Sequence, residues 1–62
     1  MIKQYQKVKL QDDKYAIIVE ILGNGEAYIA DIEVSEGNYE TETIHPKDIK
    51  SIIVEVEKPF AV

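Results

Sequence analysis

A chain of 62 residues with twelve acids, seven lysines, no arginine and no cysteine makes one domain with a thin core, and it excludes a disulfide framework and a thiolate metal site. A net charge of −5 without arginine, the residue that grips phosphate and guanine bidentately, weighs against nucleic acid. The longest apolar run, Ala16-Ile17-Ile18-Val19, is far too short for a membrane helix, and Met1-Ile2-Lys3-Gln4-Tyr5 has no apolar signal core behind its lysine, so a cytoplasmic protein is expected.

Apolar residues recur with period two almost throughout, the signature of strands. Val8 and Leu10 alternate with Lys7 and Lys9, predicting a first strand over residues 5–10, and Gln11-Asp12-Asp13-Lys14 reads as a polar turn. A β-branched run predicts a second strand over 15–22. Gly23-Asn24-Gly25 supplies residues that tolerate the positive φ of a tight hairpin. The third strand, 26–34, alternates Tyr28, Ala30, Ile32 and Val34 against Ile29, Asp31 and Glu33. After the turn Ser35-Glu36-Gly37-Asn38 comes a fourth strand, 39–44, with Tyr39, Thr41 and Thr43 against Glu40 and Glu42. Pro46 cannot donate to a ladder and suits the start of a helical turn, so a single 3₁₀ turn is expected over 45–49. The last strand, 51–57, alternates Ile52, Val54 and Val56 against Ile53, Glu55 and Glu57.

Five short strands with a helical turn before the last predict an all-β, five-stranded SH3-like small barrel occupying residues 1–62 as a single domain. An OB-like barrel wants a longer chain and a true helix. The segment from Lys9 to Ile21 resembles the opening of KOW-type and Tudor-like SH3-like barrels, where a charged turn precedes an apolar strand with core residues three apart, as Ile18 and Ile21 are here. The hairpin Gly23-Asn24-Gly25-Glu26-Ala27-Tyr28 is similar to one in a small acidic bacterial family of unknown function. That resemblance implies a fold and brings no activity with it.

Little in the chain suggests catalysis, and a non-enzyme without a cofactor is expected. His45 is the single histidine, next to a proline in a turn, where exposure or a capping role is the ordinary outcome. A metal would need further ligands clustered around it. Ser35 and Ser51 lie in no nucleophile-elbow context, and Gly23 and Gly25 have no helix behind them to cradle phosphate. Glu40 and Glu42 would face Asp31 or Glu33 across the hairpin, but a solvated polar face is the simpler reading, because a domain this small has little room for a deep pocket.

The charge distribution carries more. Between Tyr15 and Pro46 there are seven acids and no lysine, while the lysines crowd the two ends, so the middle of the chain projects a negative field. If Ile18, Ile21, Tyr28, Ala30, Ile32, Ile52, Val54 and Val56 fill the barrel, then Ile17, Val19, Ile29 and Ile53 remain outside, where contiguous apolar residues mark an interface unless the terminal Phe60-Ala61-Val62 covers them. The expected function is a non-enzymatic protein–protein interaction module with a basic partner. Asp31, Glu33, Glu40 and Glu42 would steer that partner, and Ile17, Ile29, Tyr39 and Ile53 would supply contact area. A sharper form is a phage or mobile-element inhibitor or regulator that offers acids in place of nucleic-acid phosphates. The alternatives are a nucleic-acid-associated KOW-like module using Lys7, Lys9, Lys14, Lys47 and Lys50, and a self-associating structural unit, a homodimer in its simplest form.

Overall fold

The computed structural model describes residues 2–54. It contains β1 (Lys7–Leu10), β2 (Tyr15–Leu22), β3 (Ala27–Ser35), β4 (Asn38–Ile44), a 3₁₀ turn (Pro46–Asp48) and β5 (Ile49–Ile52). The strands form one antiparallel sheet in the order β4-β3-β2-β1-β5. It curls into a half-barrel, so the expected all-β, five-stranded SH3-like architecture with its 3₁₀ turn before the last strand is the one observed.

Turn chemistry sets the strand boundaries. Gly23 and Gly25 stand at φ +59° and +94°, a region that costs any residue with a Cβ, and the N–H groups of Gly25 and Glu26 both reach back to the Leu22 carbonyl. In the β1–β2 turn Asp13 adopts φ +71°, which a short polar side chain tolerates. The turn is closed by Leu10 N–H to Lys14 O at 2.8 Å and by the Asp12 carboxylate accepting from Lys14 N–H at 3.1 Å. At the 3₁₀ turn the Asp48 carboxylate accepts from the backbone N–H of His45 at 2.9 Å, satisfying a donor that the turn leaves free.

A β-bulge explains the three-residue spacing of Ile18 and Ile21. Opposite β3, Ile18 pairs with Ala30, Glu20 with Ile29 and Ile21 with Tyr28, so Val19 is the extra residue. One inserted residue moves Ile21 back to the inner face. The bulge is secured by the N-terminal segment. Tyr5 N–H donates to Ile18 O at 2.6 Å, Ile18 N–H donates to Gln6 O at 2.9 Å, and the Gln4 amide donates to Val19 O at 2.9 Å. Tyr5 sits at φ +67° with an exposed ring, a backbone conformation that these contacts impose.

The core is built from alternate residues of β1, β2 and β3 with Ile44 of β4: Val8, Leu10, Ala16, Ile18, Tyr28, Ala30, Ile32 and Ile44, with Ile2, Ile21, Ile49 and Ile52 packed against it. Ile18 and Val8 have no exposed surface, and burying one such side chain is worth about 1.5–3 kcal/mol. Ala16, paired with Ile32, and Ala30, paired with Ile18, are small where facing side chains need room.

Three expectations are corrected. The first strand begins at Lys7 rather than residue 5, because the segment before it turns to serve the bulge. The last strand begins early, at Ile49, and ends at Ile52. Ile53 N–H still donates to Lys7 O at 2.9 Å, but β1 offers no residue beyond Lys7, so Val54 is 77% exposed and does not fill the barrel. Val56 and the remainder of the expected strand, with Phe60-Ala61-Val62, lie outside the described residues. Val34, in phase with Ile32, is nevertheless exposed, because the pairing with β4 slips between Glu33 and Ser35.

Candidate functional site

Residues directly opposed on antiparallel strands share a face, and this rule distributes the candidate residues. On the outer face a row runs Lys7, Ile17, Asp31, Thr41 across β1, β2, β3 and β4. Ile53 extends it beside Lys7. A second row begins with Lys9 opposite Tyr15 and ends with Glu33 opposite Tyr39. Lys7, Tyr15, Ile17, Glu33 and Tyr39 border one shallow depression. Ile29 joins the same face opposite Glu20 and Thr43. Thus six of the expected contact residues, Ile17, Ile29, Tyr39, Ile53, Asp31 and Glu33, share one surface.

Glu40 and Glu42 do not belong to it. Their partners are Ile32 and Ala30, both core residues, so the two glutamates project from the inner face of β4, and the expected pairing with Asp31 or Glu33 is corrected. Among the described residues β4 is the end strand of the sheet, Glu42 borders a depression it shares with Leu10, Asp12 and Asp48, and every residue from Asn38 to Thr43 is exposed. The β3–β4 hairpin therefore carries Asp31 and Glu33 on one face, Glu40 and Glu42 on the other, and Glu36 in its turn.

The ion pairs are segregated. At the β1–β2 turn and β5, Lys14 meets Asp12 at 3.0 Å, Lys50 meets Asp13 at 3.0 Å and Lys9 meets Asp13 at 3.7 Å. The backbone N–H and ammonium of Lys14 hold the Asp12 carboxyl below the usual aspartate range, and Lys50, with Lys9 behind it, does the same for Asp13. Among the described residues, no lysine or histidine forms a salt bridge with any acid of β2, β3 or β4 or of the two turns that join these strands. Asp31 accepts a hydrogen bond from the Thr41 hydroxyl, a neutral partner. Among the described residues the acidic half of the sheet carries no bridged counter-charge, while three of the five lysines named for a nucleic-acid surface, Lys9, Lys14 and Lys50, are already engaged by aspartates.

The sequence reading passed over Lys7 and Tyr15 as outer-face residues. The Lys7 ammonium lies 5.0 Å and that of Lys9 5.7 Å from the centroid of the Tyr15 ring, a cation–π arrangement worth about 0.5–1 kcal/mol at an exposed site. The usable signal was the Lys-x-Lys spacing, which puts both ammonium groups on one side of β1. His45 is exposed, with Nδ1 3.8 Å from Asp48. Among the described residues no group of three or more His, Asp and Glu side chains is placed to hold a metal, and no helix is long and apolar enough to cross a membrane. No protein-family model, curated protein or solved structure matches this chain.

Proposed function

We propose that this chain is a non-enzymatic protein-interaction module whose β3–β4 hairpin and open β4 edge dock a basic segment of a partner protein. One observation carries the reading: among the described residues the hairpin bears acids on both faces, no basic side chain is bridged to them, and the outer edge of β4 is unpaired. Alternate residues of an edge strand point their N–H and C=O groups outward. An extended partner with lysine or arginine at every second position would pair with these groups and set its cations against Glu40 and Glu42. A regulator or inhibitor of a nucleic-acid-handling protein, occupying the partner's phosphate-binding surface with carboxylates, is the form of this function that the charge favours.

Fluorescence anisotropy with a labelled peptide of alternating lysine and threonine tests it. The wild-type chain is expected to bind this peptide, and the Glu40→Lys/Glu42→Lys variant to bind it at least about tenfold more weakly. The Glu20→Lys/Glu26→Lys variant, with the same change in net charge away from the edge, should bind as the wild type does. Equal losses in both variants would reduce the effect to net charge and overturn the reading. Labelled single-stranded RNA should show no binding at about 50 mM salt, where phosphate affinity is strong; retention there would favour the KOW-like alternative.

A further inference from the structure

The outer face has an arrangement distinct from the acidic edge. Its three central strands form three chemical columns: Lys7 and Lys9 on β1, Tyr15 and Ile17 on β2, Asp31 and Glu33 on β3. A uniformly basic partner would be attracted by β3 and repelled by β1; a uniformly acidic one would meet the reverse. The surface that complements basic, apolar, acidic is acidic, apolar, basic, and this chain carries that surface itself.

We propose that two copies of this chain associate through their outer faces about a twofold axis parallel to β2. Rotation about that axis exchanges left and right across the sheet. Lys7 of each copy then faces Asp31 of the other, Lys9 faces Glu33, and Ile17 and Tyr15 face their own counterparts. A twofold axis perpendicular to the strands in the same plane would instead place lysine column on lysine column. The charge pattern therefore selects one of the two face-to-face arrangements, and the interface is isologous, so each contact occurs twice. Ile17 is half-buried and Tyr15 38% exposed, leaving apolar surface for the centre of the contact. The sheet curls away at β4 and β5, which confines the contact to three strands and makes the dimer a weak, transient one. The β4 edge stays open in this dimer, so the inference is independent of partner docking there.

Sedimentation equilibrium of the full chain, from about 10 µM to about 1 mM, with circular dichroism as a check on folding, tests the proposal. The wild type is expected to be in monomer–dimer equilibrium, weakened by salt. Lys7→Glu sets carboxylate against carboxylate at two symmetric contacts and is expected to raise the dissociation constant about tenfold or more. Asp31→Lys, which sets ammonium against ammonium, should do likewise. A mixture of the two single variants should recover association, because a heterodimer has opposite charges at both contacts, and the Lys7→Glu/Asp31→Lys double variant should recover it alone. A wild type that stays monomeric at about 1 mM overturns the proposal. So does a dimer that both single variants leave intact, or a loss that neither mixture nor double variant repairs.

Discussion

Asp13 gathers several small effects at one residue. It occupies a left-handed turn position that a short side chain tolerates, and its carboxylate joins Lys9 of β1 to Lys50 of β5. Its pKa is lowered from 3.8, as is that of Asp12. A depressed folded-state pKa means that the unfolded chain takes up the proton first. The stabilisation is thus complete above about pH 4 and is lost as pH falls through the lowered values. Acid denaturation followed by circular dichroism should show stability declining below about pH 4, and Asp13→Asn, which keeps the turn conformation, should flatten that decline. An unchanged acid profile would mean that these exposed pairs contribute nothing measurable, as many surface pairs do.

Packing holds β4 through one residue: Ile44 alone is buried, and Glu40 and Glu42 are like charges on one face. Glu42→Lys is expected to stabilise the fold by up to about 0.5 kcal/mol in urea titration, by removing repulsion, while weakening binding of the basic peptide. Gain in one and loss in the other is the trade-off of a residue kept for binding. The turns and the strand sequence were legible in the chain because glycine, proline and β-branched residues act locally, whereas the spacing of Ile18 and Ile21 was carried by the resemblance to KOW-type barrels and its cause, the bulge at Val19, was not legible. The assignment of faces on β4 was not. Its inner set is Glu40, Glu42 and Ile44, with one apolar residue, so alternation alone gives no inside, and only register against Ala30 and Ile32 does. Val54 misled for a related reason. Period two persists through it, but a strand lasts only as long as its neighbour, and β1 ends at Lys7. The outer contact residues were legible as spare apolar positions once Ile18 and Ile21 were placed inside. The division of the acids between two faces was not.

For the whole molecule the order of the strands in the sheet differs from their order in the chain. β2, β3 and β4 are joined by short turns, whereas Val8 on β1 pairs with Ile52 on β5 and encloses nearly the whole described chain. Gln11 ties the β1–β2 turn to the same end of the chain, its N–H to Asp48 O at 2.9 Å and its amide to Ile49 O at 3.3 Å. Closing so long a loop costs entropy that the hairpins do not incur. The meander is therefore expected to form the folding nucleus, with β5 docking after the rate-limiting barrier. In stopped-flow chevrons Ile32→Val should slow folding, while Ile52→Val should leave the folding arm in place and accelerate unfolding. Equal displacement of the folding arm by both would place β5 in the nucleus. The β1–β5 seam that completes the sheet is then also the first to part, so brief opening of the native chain begins at β5 while the acidic hairpin at the far edge remains assembled.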